Sequence, residues 1–173
     1  MIIWFTGLSG AGKTTLSQYM HKKIKPLRKN TVYLDGDLIR KCFSMEQESD
    51  YSFNGRRKNA QRIHEFSLIL DRQEINVICA IQLIFNDIRS LNRQVFSSYK
   101  EIHITCNMET LKKRDTKNLY QLYERNEAKN IVGIDIEYPQ PINFNYELNT
   151  DEDINKTFSE IDLIYNEIIS KLY

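Results

Sequence analysis

Residues Gly7 to Thr14 read G-L-S-G-A-G-K-T, where glycines, one lysine and one hydroxyl keep the spacing of a phosphate-binding loop. Gly7, Gly10 and Gly12 permit backbone angles that other residues resist, and they put no side chain in the way of a phosphate. Ser9 and Ala11 complete the turn, and Thr15 opens a segment of helical spacing that runs to Lys25. The apolar run Ile2-Ile3-Trp4-Phe5-Thr6 precedes it, so the order is strand, glycine-rich turn, helix. That order aims several backbone N–H groups and the positive end of a helix at one point. Lys13 is then placed for the β- and γ-phosphates and the Thr14 hydroxyl for Mg²⁺. The pattern predicts a nucleoside triphosphate site.

A second group follows Thr31-Val32-Tyr33-Leu34: Asp35-Gly36-Asp37, with Arg40 one helical turn later. Two carboxylates separated by glycine can divide labour. One can order a metal's water shell while the other accepts the proton of an attacking hydroxyl. An ordinary Asx turn has the same composition. The complete phosphate loop upstream favours the catalytic reading.

The elements that must position these residues are legible from apolar spacing. Short runs rich in Ile and Val at Ile2–Thr6, Thr31–Leu34, Asn76–Ile81, Glu101–Thr105 and Phe144–Leu148 read as strands covered on both faces. Between them Ala60, Ile63, Phe66 and Leu70 mark a helix from about Gly55 to Arg72. Ile154, Phe158, Ile161, Ile164, Ile168 and Leu172 mark a last helix, with Thr150 or Asp151 as its N-cap. Alternating strands and helices predict an α/β fold of the P-loop kinase type: a doubly wound, mainly parallel sheet with helices on both faces. Such sheets bind ligands beyond the carboxyl ends of their strands, where Gly7–Lys13 and Asp35–Asp37 fall. The segment 114–140 is cationic and polar with weak apolar periodicity, which suits either a solvated loop or a mobile lid over phosphates.

The bulk numbers set the bounds. A chain of 173 residues that is 41% hydrophobic suits one folded domain spanning 1–173. A formal charge of +1 gives no reason to expect a nucleic-acid polymer as partner. Cys42, Cys79 and Cys106 lack metal or disulfide spacing and suit reduced thiols, the last two as buried hydrophobes. With no membrane-spanning stretch and no signal-peptide pattern, the expectation is a cytoplasmic protein that meets no membrane. His21, His64 and His103 are scattered and read as surface or packing residues.

With these motifs in order, the chain resembles the adenylylsulfate (APS) kinases. The family's G-L-S-G-A-G-K-[ST]-T stands at Gly7–Thr15 and its L-D-G-D-x-x-R at Leu34–Arg40. Its F-S-x-x-D-R-x-x-N is met by Tyr51, Ser52, Arg56 and Asn59. R-D-x-K-x-L-Y is met at Arg114, Asp115, Lys117, Leu119 and Tyr120, and E-x-K-N-x-x-G-I-D at Glu127–Asp135. The resemblance implies transfer of the ATP γ-phosphate to a nucleotide ribose 3′-hydroxyl, with Asp37 as base and Asp35 helping to place Mg²⁺. It implies that Arg40, Arg56 and Asn59 hold the acceptor's anionic end and ribose, that Arg114 lies against the adenine of ATP, and that Lys117 and Lys129 belong to the lid. Small-molecule nucleotides are the implied partners, and family members often pair as homodimers.

The departures fall on the acceptor-base side. After the third strand the family has A-F-I-S-P-[FY]-R; here the stretch is Ala80-Ile81-Gln82-Leu83-Ile84-Phe85-Asn86, so the Ser-Pro turn is gone, Gln82 brings in an amide able to donate and accept, and Asn86 stands where an arginine is usual. Ile131 stands where the family lays an aromatic on the acceptor's adenine, while Tyr51 keeps an aromatic for the other face. The chain is therefore similar to the branch that phosphorylates cytidine diphosphoramidate, a CDP-linked intermediate in bacterial capsule decoration. The alternatives are a true adenylylsulfate kinase that has drifted, a nucleotide-binding regulator without catalysis, and a small kinase for a sugar or shikimate-like acid. Intact Lys13, Thr14, Asp35 and Asp37 argue against the regulator, and Tyr51 against the last.

Overall fold

The computed structural model describes residues 1–45, 47–151 and 153–170. Its centre is a five-stranded parallel sheet: β1 (Ile2–Gly7), β2 (Thr31–Asp35), β3 (Asn76–Ile81), β4 (Tyr99–Thr105) and β5 (Tyr146–Asn149), in the order β2-β3-β1-β4-β5. β1 is buried at every residue because β3 and β4 flank it and helices cover both faces. Alternation decides which residue meets which face. Ile3 and Phe5 join the core under α1 (Lys13–Ile24) and α7 (Ile154–Ser170). Ile2 and Trp4 join the opposite core, under α3 (Phe53–Asp71) and α4 (Asn86–Val95). This is the doubly wound arrangement that the apolar spacing implies, and strand ends agree with that spacing to within two residues.

Three local features bear on the site. α2 (Gly36–Cys42) begins directly at the end of β2 because Asp35 caps it, accepting from the Asp37 N–H at 2.9 Å. Ser52 caps α3, accepting from Gly55 N–H at 3.2 Å. Gly55 is required there: a Cβ would lie 2.4 Å from the Asp50 carbonyl oxygen, so only glycine lets the 3₁₀ turn Glu48–Tyr51 sit against the first turn of α3. That packing delivers Tyr51 beside Arg56.

Two expectations change. Neither Thr150 nor Asp151 caps α7. Asp153, immediately before it, accepts from Asn155 N–H at 3.0 Å, while Thr150 and Asp151 turn back toward the loops after β1 and β4. The expected continuation of that helix to Leu172 lies outside the described residues. Cys79 is fully buried, but Cys106 is only partly so, its Sγ donating to Asp151 Oδ1 at 3.2 Å. The polar character of Asp151 and of the loop after β4 draws that thiol out of the core. No described helix is long and apolar enough to cross a membrane.

Candidate active site

A cavity of about 850 Å³ opens beyond the carboxyl ends of β1, β2 and β3, beside the point where the sheet order reverses. Its floor is the loop Ser9–Thr15. Gly7, the last residue of β1, lies in the positive-φ region at 148°, and a Cβ on it would sit 2.4 Å from the Ile104 carbonyl oxygen. Only a glycine lets the loop leave β1 this close to β4. α1 starts at Lys13, with Gly12 as its left-handed N-cap at φ 96°, so the helix N-terminus faces the cavity. Gly7 and Ala11 do not line the cavity. Ala11 is buried, and its carbonyl accepts from Thr150 Oγ1 at 3.0 Å. Both shape the loop from beneath.

Over this floor the two acids stand as the strand-end reading requires. Thr14 Oγ1 donates to Asp35 Oδ2 at 3.2 Å, while Asp35 Oδ1 holds the Asp37 N–H. One side chain thus both makes the Asx-type cap of α2 and reaches the phosphate-loop hydroxyl. Asp37 is half-exposed and points into the cavity, bonded to Lys117 and 3.4 Å from Arg40 Nη1. Burial alone pushes its carboxyl up. The Lys117 hydrogen bond and charge, with Arg40 and Lys13, outweigh that and hold it below the usual carboxylate range. Lys13 Nζ donates to the Leu8 carbonyl at 2.6 Å. Burial, then the charge of Lys117, depresses its ammonium to about 8 against the pull of Asp37 and Asp35.

The acceptor side is built on α2, α3 and the loop after β3. Arg40 and Arg56 are nearly buried, and their guanidinium carbons lie 4.9 and 5.9 Å from the Tyr51 ring centre. Arg56 donates from Nη1 to Gln82 Oε1 at 2.8 Å and from Nη2 to the Asn130 carbonyl at 2.8 Å. Burial, then the neighbouring Arg40, lowers it to about 10, so it stays charged at neutral pH. Tyr51, Gln82 and the Asn130 carbonyl are thereby gathered around one guanidinium, and Tyr51, Gln82 and Ile131 all line the cavity. Asn59 does not. It is 1% exposed, and its Nδ2 donates to the Gly36 carbonyl at 3.1 Å. α3 places it behind the D-G-D turn, as a brace for that turn rather than a wall of the cavity.

The segment 114–140 lies over the cavity. Its cationic composition conceals real anchoring: Tyr120, Ile131 and Val132 are buried. Asp115 accepts from the N–H groups of Tyr120 and Gln121 at 3.2 and 3.0 Å, opening α6 (Leu119–Glu124). The Tyr120 hydroxyl reaches the Ser9 carbonyl at 3.1 Å, and Asp135 caps the Asn130 and Ile131 N–H groups. Lys117 and Lys129 line the cavity from this segment. Arg114, at the end of α5 (Met108–Arg114), donates to Thr150 Oγ1 at 3.1 Å and to the Thr150 carbonyl, and lies 3.5 Å from the Gly10 carbonyl. Thr150 is the residue sequence reasoning misplaced. Its hydroxyl ties Arg114 to Ala11, a role that no spacing signals.

A family model described as adenylylsulphate kinase matches residues 1–149. The chain belongs to the adenylylsulphate kinase family. The cytidine diphosphoramidate kinase of Campylobacter jejuni is 40% identical over 140 residues, 81% of each chain. An adenylyl-sulfate kinase of Picosynechococcus is 33% identical over 160 residues, 92% of this chain and 89% of the relative. The structure of a Mycobacterium tuberculosis APS kinase in complex with AMPPNP and APS matches with a TM-score of 0.78 and 26% identity, over 94% of this chain and 96% of that one. The family and these neighbours make this chain an ATP-dependent nucleotide kinase.

Proposed function

We propose that this kinase transfers the γ-phosphate of ATP to the ribose 3′-hydroxyl of cytidine diphosphoramidate, a step in capsule decoration. Asp37 takes the proton of that hydroxyl as its oxygen attacks phosphorus in line. The bond from phosphorus to the β–γ bridging oxygen breaks, ADP leaves, and Asp37 returns its proton to solvent. Its depressed carboxyl keeps it ionised at neutral pH, ready to accept. Lys13 and the N-terminus of α1 steady the transferring charge. Lys117, which holds Asp37 in the free protein, yields that position to the hydroxyl and turns to the phosphates as residues 114–140 act as a lid. Arg114 covers the adenine of ATP from its anchor on Thr150.

The donor set also fits a magnesium ion. Thr14 Oγ1 and Asp35 Oδ2 are hard oxygens 3.2 Å apart beside the phosphate loop, and Mg²⁺ commonly takes one or two protein oxygens, phosphate oxygens and water. When bound it neutralises charge on the β- and γ-phosphates. Thr14 and Asp35 are the residues that would hold it, Asp35 through its water shell.

Arg40 and Arg56 take the acceptor's anionic linkage. The Nε atoms of both are buried and lack a hydrogen-bond partner among the described residues, as expected of donors reserved for an oxyanion. The observation that carries cytidine over adenine is Ile131 in the cavity wall, where the family has an aromatic, with the amide of Gln82, bonded to Arg56, lining the same cavity. Less stacking area and more hydrogen bonding suit a pyrimidine. Higher identity to the Campylobacter jejuni relative supports the same choice. Side-by-side assays of ADP release with cytidine diphosphoramidate and adenylylsulfate test it. A clear preference for cytidine diphosphoramidate is expected, and preference for adenylylsulfate overturns the substrate assignment.

A further inference from the structure

Gln82 begins the loop from β3 to α4, and both of its neighbours are fixed. Ile81 closes β3 in register with Thr6. The Leu83 carbonyl accepts from fully buried Arg89 Nη2 at 2.7 Å, and Leu83, Ile84 and Phe85 are themselves buried. Asn86, where the family has an arginine, accepts from Arg89 Nη1 at 3.0 Å and helps hold the same residue. The backbone at Gln82 is thus pinned on both sides while its side chain lines the cavity.

The contact with Arg56 then settles the direction of the amide. A guanidinium only donates, so the atom 2.8 Å from Arg56 Nη1 is the amide oxygen, and the other branch is the donor Nε2. Arg56 has little freedom to let go, since it is nearly buried, its Nη2 is held by the Asn130 carbonyl and its guanidinium carbon lies 5.9 Å from the Tyr51 ring centre. A glutamine is usually ambidextrous toward a base. This one offers its donor.

We infer that Gln82 selects the acceptor by the protonation of its base, its amide N–H meeting a bare ring nitrogen. Bases with an amino group beside an unprotonated ring nitrogen, cytosine and adenine, are accepted. Bases with a ring N–H beside a carbonyl, uracil and guanine, are refused. The inference rests on the proposed reaction at a nucleotide 3′-hydroxyl. With that hydroxyl at Asp37, the base meets the cavity wall by the edge remote from its sugar, where cytosine carries N3 and its amino group. Uracil presents N3–H there. Two donors then face each other, and the unpaired polar group lowers productive binding on the order of tenfold to a hundredfold.

The test compares kcat/KM for cytidine diphosphoramidate and its uridine counterpart in the wild type and in Gln82→Glu. Glutamate keeps an oxygen toward Arg56 and turns the donor into an acceptor. The wild type is expected to favour cytidine by about ten- to a hundredfold. Gln82→Glu is expected to shrink or invert that ratio by about tenfold or more, with KM for ATP unchanged. The added charge repels both acceptors alike, so it cancels in the ratio. A wild type indifferent to the two bases, or a variant with the wild-type ratio, overturns the inference. A 3-deazacytidine counterpart, whose ring nitrogen is replaced by C–H, asks the same of the unaltered protein. Loss of about tenfold or more supports it, and turnover equal to that of cytidine overturns it. Should adenylylsulfate prove the better acceptor, the substrate assignment fails on its own. The same contrast is then read between adenylylsulfate and its hypoxanthine counterpart, which carries a proton on N1.

Discussion

Asp37→Asn isolates the chemistry proposed for this cavity, because the amide keeps the shape of the carboxylate and an oxygen for Arg40, now 3.4 Å away. The cost to the fold is small. Asp37 and Lys117 are each about half exposed (52% and 53%), and an ion pair at that exposure contributes roughly 0–1 kcal/mol. For a domain near this size that is at most about 2–4 °C in Tm. The cost to turnover is of another order. A positioned general base contributes about 10²–10⁴-fold, or roughly 3–5 kcal/mol of activation free energy at about 1.4 kcal/mol per decade. Binding of ATP moves the other way, since the substitution removes a negative charge beside Lys13 from a site that must take a triphosphate. The expected pattern is kcat down by at least a hundredfold, ATP affinity equal or tighter, and Tm nearly unchanged. Coupled ADP-release kinetics, calorimetric titration with ATP and thermal melting read the three quantities separately. A folded Asp37→Asn protein that turns over within tenfold of wild type refutes the role given to this carboxylate.

The remaining predictions use other parts of the site and its support. Lys117→Met removes the partner that does most to hold Asp37 low, so the acid limb of the kcat/KM profile should move to higher pH; a limb that stays put excludes this coupling. Lys13, held near 8 in the free protein and raised by a bound triphosphate, gives full ATP affinity below about pH 8 and weakening affinity above it. Titration at pH 9 in two buffers of different ionisation enthalpy should show proton uptake on binding, and none at pH 7. Glu101→Gln leaves Arg89, fully buried beside it at 2.8 Å, without its counter-charge. Breaking a buried pair costs about 3–5 kcal/mol, so a fall in Tm of about 6 °C or more is expected, and a shift within 2 °C contradicts it.

What the sequence made legible is whatever repeats or punctuates. Ile and Val runs of strand length, helical spacing in α3 and α7, and glycines at 7, 10 and 12 are local patterns, and each lies where its periodicity implies. What it concealed are contacts between residues far apart in the chain, for which no local pattern exists. Thr150 resembles a helix cap because caps and struts use the same hydroxyl; only the return of β5 beside β1's loop makes it the link between Ala11 and Arg114. Asn59 shares the helical spacing of Arg56, yet Arg56 reaches the cavity while Asn59 braces the turn behind it. The segment 114–140 looks loose because its few apolar residues, Tyr120, Ile131 and Val132, are spread out along it, although each is buried against the rest of the molecule. Gln82 is the instructive case. Its identity was visible as a departure from the family, but its polarity was not, since an amide has no direction until a neighbour gives it one. Arg56, 26 residues earlier, supplies that direction by a single hydrogen bond. That one contact gives the proposed selection between a bare and a protonated ring nitrogen its sign.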